Sequence, residues 1–341
     1  MTLIYFVLIL GIIIFVHELG HFLFAKLFKV HVYEFSLGMG PRLFLFKRKH
    51  DETEYSIRLF PIGGYVRIAG EDDTEDSKIA EKNKITSKSW IQRFLVMFAG
   101  SAFNFIFAII IIFTLAMTLG SVSTKPYIGE VVSGYPMASS GIDKGDLILK
   151  VDGKKVSSYD ELAIQLYSKD SSTTFVVEKA DKNIRIYKIK PILKNNVYTY
   201  GFKQSITKEY GIIESITYTG DKFIALIKSM WMSMSALITG GISLNQFSGP
   251  VGVYDMVGNE VASGIGNVAY FIAYLCINIG FINLLPIPAL DGGRIFFLII
   301  EKIKRSKVNP KVEAMVNFIG FILLMVLMVV VTFNDIFRLG G

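Results

Sequence analysis

Two histidines and a glutamate lie inside an apolar run near the start of the chain, where ionisable side chains are costly. Residues 1–16 carry no charge, and His17, Glu18 and His21 follow them. On a helix, residues four apart share a face, so His17 and His21 can hold one metal ion together. Glu18 then lies beside the metal, where it can take a proton from water. The alternative is that the two histidines only pack in a helix bundle.

A third metal ligand is expected further along the chain. The apolar run at 283–293 contains two prolines, which must break a helix, and it closes with Asp291 followed by two glycines. Hydrolytic zinc sites use three protein ligands and leave a fourth position to water. His17 and His21 supply two, so Asp291 is the candidate third ligand. Alternatively, Asp291 caps the N-terminus of the helix that follows it.

The elements that must position these residues are membrane helices. Of the 341 residues, 52% are hydrophobic, which is typical of a membrane protein, and the single cysteine excludes an internal disulfide. A bilayer span needs about 20 apolar residues. The sequence predicts such spans at 1–28, at 91–120, within 261–300 and at 314–337. A weaker run at 223–240 is predicted as an interfacial helix, with a fifth span as the alternative.

The distribution of lysine and arginine predicts the orientation of these spans. Six lie between residues 26 and 49 and five between residues 301 and 313, whereas the other span ends have few. Because positive residues favour the cytoplasmic side, both termini are predicted outside and the metal residues towards the cytoplasm. The net charge of +7 has the same explanation. The sequence shows no nucleic-acid-binding motif, so no nucleic-acid partner is predicted.

Two regions between the spans carry strand patterns. In the cytoplasmic region 29–90, the segments 55–60 and 65–69 predict a membrane-associated β-hairpin with a Pro-Gly turn between them. Its edge can receive an extended peptide, or the hairpin can be purely structural. Residues 121–200 alternate strand, helix and strand and predict an extracytoplasmic α+β domain, followed by a linker at 201–260.

Several motifs resemble known families. The run from 138 to 153 resembles the turn and Gly-Asp pattern of a circularly permuted bacterial PDZ domain, which would bind chain ends or act as a size filter over the membrane site. HELGH at 17–21 together with NLLPIPALDGG at 283–293 resembles the site-2 protease family (M50) of intramembrane zinc metalloproteases. The stretches that resemble its bacterial RseP-like branch are SLGMGP (36–41), FPIGGYV (60–66), GSAFN (100–104) and FSGPVGV (247–253).

The resemblance implies a polytopic α-helical protein of the bacterial plasma membrane, with about four transmembrane helices and a PDZ-like domain outside. It implies one Zn²⁺ ion on His17, His21 and Asp291, with Glu18 as general base. The implied substrates are single-span membrane proteins, such as anti-sigma factors, that are cut within the bilayer. The residues predicted to bind substrate are Asn283, Pro286, Pro288, Gly63, Gly64 and Asn104. Two other functions stay open: a non-catalytic metal-binding PDZ scaffold, and a zinc hydrolase of a non-peptide substrate.

Overall fold

A computed structural model describes residues 1–49, 51–71, 79–167, 169–194, 197–205, 208–240 and 248–340. The chain forms two compact units, one of Met1–Ala108 with Leu244–Gly341 and one of Ile109–Ser243. The helices are α1 (Thr2–Leu27), α2 (Trp90–Leu119), α3 (Tyr159–Leu166), α4 (Ile212–Ile238), α5 (Pro250–Ser263), α6 (Ile265–Leu284), α7 (Asp291–Lys304) and α8 (Pro310–Gly340). The strands are β1 (Val32–Lys47), β2 (Glu54–Ile68), β3 (Ser121–Val122), β4 (Ile128–Val131), β5 (Leu147–Val151), β6 (Lys154–Lys155), β7 (Thr173–Glu178), β8 (Ile184–Ile189), β9 (Ile192–Lys194), β10 (Val197–Thr199), β11 (Phe202–Gln204) and β12 (Lys208–Glu209).

Four helices are long and apolar enough to cross a membrane, as the sequence predicts. They are α1, α2, α6 and α8, and among the described residues no fifth helix meets the same condition. The helix over the weaker run at 223–240 is α4, which begins eleven residues earlier than that run and carries Asp221, Lys222 and Lys228. A polytopic membrane protein with four candidate spans is therefore confirmed.

The predicted β-hairpin is wrong in its pairing. The segments 55–60 and 65–69 both belong to β2 and do not pair with each other. Each pairs with β1 instead: Leu37 lies opposite Gly64 in one part of β2 and opposite Ile57 in the other. The sequence analysis did not predict strand β1. In the structure, β1 supplies the hydrogen-bond partners that each segment was expected to find in the other.

The region predicted to contain the third span, 261–300, forms two helices, and another helix precedes them. The region 261–300 contains α6 and α7, separated at the prolines as expected, and α5 precedes them in the segment predicted as a linker. Pro250 at the first turn and Gly264 after the last delimit α5. The N–H of Gly252 donates to Asp335 of α8 at 2.7 Å, so α8 caps α5. Phe247 of the FSGPVGV motif lies outside the described residues.

The second unit contains the predicted alternation of strand, helix and strand. Its largest sheet has the order β6-β5-β7-β8 with antiparallel neighbours. Ser158 caps α3 by accepting the N–H of Glu161 at 3.1 Å. Alternate side chains of β5 and β7 point inwards and meet one face of α3 in a single core, whose fully buried members include Ile148, Phe175 and Leu162.

In the first unit, close contacts bring α1 and α7 against α2. A Cβ atom at Gly20 of α1 would lie 2.3 Å from the carbonyl oxygen of Ala99, so only glycine allows this approach. In the middle of α7, the Leu298 carbonyl accepts a hydrogen bond from Trp90 Nε1 of α2 at 2.7 Å. Arg93 of α2 and Glu301 of α7 form an ion pair of 2.6 Å. These two contacts hold the C-terminal half of α7 against α2.

Candidate metal centre

Three side chains from two distant parts of the chain converge on one point. The Nε2 atoms of His17 and His21 are 3.2 Å apart. Asp291 Oδ2 lies 3.1 Å from the first and 3.3 Å from the second. These atoms form a nearly equilateral triangle. Among the described residues, His17, His21 and Asp291 form a cluster that could hold a metal ion. Zinc bonds in a tetrahedral site imply ligand–ligand separations of about 3.3 Å, which the triangle matches.

The hydrogen bonds around the triangle indicate that it lacks a positive partner. His21 Nδ1 is 2.8 Å from the Val96 carbonyl, which can only accept, so Nδ1 donates. In the neutral imidazole, Nε2 then presents a lone pair to the other two atoms. Asp291 Oδ2 is buried and has no hydrogen-bond donor in the described chain. Three acceptor atoms that face one another fit a bound cation, so the residues present suit a metal ion such as zinc.

Local structure explains how the three side chains meet. His17 and His21 are one turn apart on α1, and α2 passes beside them at Gly100. A Cβ atom at Gly100 would lie 2.3 Å from His21 Nε2 and 2.8 Å from His17 Nε2. Asp291 is the first residue of α7, whereas the N-cap is Leu290 without a side-chain hydrogen bond. The alternative of Asp291 as a capping residue is therefore wrong, and its carboxylate is directed to the histidines.

A pocket of about 430 Å³ opens beside the triangle, and Glu18 lies in its wall. One wall is formed by consecutive residues of β2, from Tyr65 to Ile68. Glu71 and Arg294, which form an ion pair, line the pocket as well. The pocket thus contains a candidate metal centre, a carboxylate next to it and a strand along one side.

None of the residues predicted to bind substrate lies in the pocket wall that the described residues form. At Gly64, a Cβ atom would be 3.2 Å from the Cγ of Glu18 and 2.9 Å from the Ser36 carbonyl, so glycine lets β2 approach α1. Gly63 has a left-handed backbone with φ of 89°. Pro288 packs against α8, where a Cβ at Gly320 would lie 2.4 Å from it.

Asn104 is placed differently from the other predicted substrate-binding residues. Its side chain has no exposed surface, and its Nδ2 atom lies 3.4 Å from His17 Nδ1. It therefore contacts a residue of the triangle.

Some neighbours of the site were missed by sequence reasoning. Val96 acts through its backbone carbonyl, which no residue type signals. Ala289, two residues before Asp291, has a left-handed backbone with φ of 74°, and its N–H donates to Asn317 Oδ1 of α8 at 3.2 Å. Arg294 directly follows the Asp-Gly-Gly sequence, so its position three residues after Asp291 on a helix could have indicated that it faces the same side.

A second buried charged cluster lies in the β1–β2 sheet. Glu34 is buried, and its carboxylate accepts hydrogen bonds from Ser56 at 2.6 Å, Tyr65 and Arg58 at 2.8 Å, and Arg42 at 2.9 Å. Burial raises the pKa of Glu34, but these hydrogen bonds outweigh it and lower the pKa to about 2. Both oxygens are satisfied, so this cluster needs no ligand.

Comparison with known proteins identifies relatives along nearly the whole chain. The model of peptidase family M50 matches residues 5–327. The regulator of sigma-W protease RasP of Bacillus subtilis is 32% identical over an alignment of 418 positions, with 99% of each chain covered. The zinc metalloprotease RasP of Shouchella clausii is 32% identical over 421, again with 99% of each covered. A Clostridium perfringens protein with a provisional name as a zinc metalloprotease is 36% identical over 338 residues, with 98% of each covered.

Proposed function

This chain belongs to peptidase family M50 and is a zinc metalloprotease of the membrane, and from this premise we propose that it cleaves single-span membrane proteins within the bilayer. The observation that carries the proposal is the triangle of acceptor atoms on His17, His21 and Asp291, because two of its corners belong to a candidate membrane span. The name of the Bacillus subtilis relative, a regulator of sigma-W protease, supports anti-sigma-factor-like proteins as the substrate class.

In the proposed site, His17, His21 and Asp291 hold one zinc ion. When bound, zinc polarises a carbonyl and lowers the pKa of its water. Glu18, in the wall of the same pocket, takes the proton of the attacking water on its carboxylate and later delivers it to the leaving amine. Gly100 contributes by leaving the space in which both imidazoles stand.

The substrate is proposed to bind as an extra strand beside β2. A transmembrane helix hides its peptide bonds in its own hydrogen bonds, so a segment must unwind before it can be cut. Residues 64–67 pair with β1, and residues 65–68 line the pocket. We propose that the edge of β2 at the pocket pairs with the freed N–H and C=O groups of the substrate. Gly64 keeps this strand close to α1, and Gly63 provides the left-handed backbone beside Met39 of β1.

Further parts of the assignment follow from the sequence motifs. We propose that Asn283 holds the substrate backbone, with Pro286 and Pro288 shaping the broken helix beside it. Residues 121–200, within the second unit, are proposed as an extracytoplasmic PDZ-like domain that binds chain ends or filters substrates by size. The lysine and arginine distribution supports both termini outside and an active site that opens towards the cytoplasm.

The test is to measure zinc content and cleavage of a tagged single-span reporter by the full chain, purified in detergent. Wild type and Glu18→Gln should each retain one zinc ion, whereas cleavage by Glu18→Gln should fall about 100- to 10,000-fold because proton transfer is lost. The matched control is Glu81→Gln, since Glu81 is exposed and outside the pocket. If Glu18→Gln cleaved the reporter at the wild-type rate, Glu18 would not be the general base. If the purified wild-type protein contained no zinc, the assignment of the metal centre would be wrong.

A further inference from the structure

One stripe of α2 faces both imidazoles of the metal centre. Val96, Gly100 and Asn104 are spaced four residues apart on this helix, so they share a face. The Val96 carbonyl accepts from His21 Nδ1, and Gly100 lies against both Nε2 atoms. Asn104 completes the stripe next to His17 Nδ1, with Nδ2 at 3.4 Å. His21 therefore has a partner that can only accept, whereas His17 faces an amide that has one donor end and one acceptor end.

The hydrogen count of His17 decides which end of the amide is needed. His17 Nε2 is one corner of the triangle, 3.1 Å from Asp291 Oδ2, and must present a lone pair to a cation there. A neutral imidazole carries one hydrogen, which must then be on Nδ1. The atom opposite Nδ1 must therefore accept, but an amide nitrogen can only donate.

The other end of the amide has the complementary defect. Asn104 is fully buried, and its Oδ1 has no hydrogen-bond partner in the described chain. Leaving a buried acceptor unpaired is unfavourable. A rotation of 180° about the Cβ–Cγ bond exchanges oxygen and nitrogen without changing the shape of the side chain. It brings Oδ1 opposite the Nδ1 hydrogen of His17 and removes both conflicts.

We propose that Asn104 is a positioning residue of the metal centre, whose amide oxygen accepts the Nδ1 hydrogen of His17 and directs the Nε2 lone pair into the triangle. Its role in holding His17 parallels that of the Val96 carbonyl for His21. This inference rests on the proposed metal-binding function of His17, His21 and Asp291. It gives Asn104 a contact with a metal ligand where the sequence had predicted a contact with substrate.

The experiment measures the zinc affinity of the full-length protein in detergent by competition with a chromophoric chelator. Asn104→Leu keeps the number of side-chain heavy atoms and the branch at Cγ but has no acceptor, and its affinity should fall about 10- to 100-fold, as expected for loss of an outer-shell partner. Asn104→Asp offers an acceptor on both arms, so its affinity should stay closer to wild type than to Asn104→Leu. Ser101→Ala is the matched control, because Ser101 is also fully buried on α2 and its Oγ has no hydrogen-bond partner among the residues that the structure describes.

The outcomes separate this inference from the function on which it rests. If His17→Ala loses zinc but Asn104→Leu binds it like wild type, or if Ser101→Ala weakens it equally, Asn104 has no special role. If His17→Ala binds zinc like wild type, the metal centre itself is wrongly assigned.

A second measurement needs no variant at position 104 and so does not depend on its folding. Nitrogen-15 NMR of the zinc-loaded protein, labelled at its four histidines, reports which ring nitrogen carries hydrogen. The His17 resonances are identified by their loss in His17→Gln. Hydrogen on Nδ1 of His17 is the expected result, and hydrogen on Nε2 would overturn the proposal.

Discussion

The metal centre and the Glu34 cluster are two buried groups of ionisable side chains in the same unit, and they differ in how their charges are satisfied. Glu34 accepts four hydrogen bonds from Ser56, Tyr65, Arg58 and Arg42. Asp291 Oδ2 instead faces two imidazole nitrogens and has no donor among the described residues. Burial of a carboxylate is tolerated in both places, but only at Glu34 does the described chain supply the compensating partners.

This difference separates a structural charge from a functional one. A carboxylate whose acceptor positions are filled by arginine, tyrosine and serine holds strands together, and nothing further has to bind. A carboxylate that converges with lone pairs leaves room for a cation, and the geometry of the three atoms indicates which cation fits. Variants at the Glu34 cluster should therefore change stability, and variants at the metal centre should change zinc content and cleavage.

The largest effect is expected at the third corner of the triangle. Asp291→Ala removes one of the three proposed ligands, so purified protein should lose most of its zinc, and reporter cleavage should fall to background. Zinc is measured by elemental analysis and folding by size-exclusion chromatography. Full zinc content in a folded Asp291→Ala protein would show that the unsatisfied carboxylate is not a ligand, and the contrast between the clusters would fail.

The next effect tests the space beside the imidazoles. In Gly100→Ala, the new Cβ would lie 2.3 Å from His21 Nε2, so the ring must shift away from its partners. We expect zinc affinity to drop by at least about tenfold, the scale of losing one orienting contact. Gly11→Ala on α1 is the control, since a Cβ there meets nothing within 4 Å and helix propensity favours alanine. Equal zinc affinity in both variants would contradict the packing argument.

The Glu34 cluster should respond in stability alone. Glu34→Gln leaves two arginines without their buried carboxylate, which is expected to destabilise the folded protein by about 3–5 kcal/mol. The zinc content of the protein that remains folded should stay at the wild-type level. Denaturation in detergent measures the first quantity. Glu54→Gln is the control, because Glu54 makes only a 3.4 Å contact with Arg42. A loss of zinc without loss of stability would reverse the assignment of the two clusters.

The same variant predicts a pH dependence. The pKa of Glu34 is lowered from 4.5 to about 2 by its hydrogen bonds, so the folded state favours the carboxylate. Its stabilising contribution is complete above pH 4.5 and is lost as the pH falls from 4.5 towards 2. Wild type should therefore lose more stability across this window than Glu34→Gln does. Parallel stability curves would show that Glu34 does not carry the effect.

Much of the metal centre could be predicted because its signals are local. The four-residue spacing of His17 and His21 implies one helix face, and charge-free runs of sufficient length imply spans. Asp291 could be joined to them because few acids occur in apolar segments. Asn104 was predicted to bind substrate, and its contact with His17 depends on how α2 lies against α1, which no local pattern contains.

The errors have a similar origin. The segments 55–60 and 65–69 were expected to pair because a turn signal separates them, but β1 competes for both and lies between them. Partner choice among strands is a tertiary property, and alternation of apolar residues does not encode it. The Glu34 cluster was not predicted for the same reason, since its partners come from residues eight to thirty-one positions away.

The cap of α5 by α8 bears on the order in which the chain matures. Gly252 and Asp335 are 83 residues apart, and the carboxylate is on the later segment. During synthesis, α5 emerges with its first N–H groups unpaired and can be completed only after α8 has been made and inserted. The same delay applies to the metal centre, because His17 and His21 are made long before Asp291. The protease is thus expected to stay inactive on the ribosome at least until α7, which begins with Asp291, has been made.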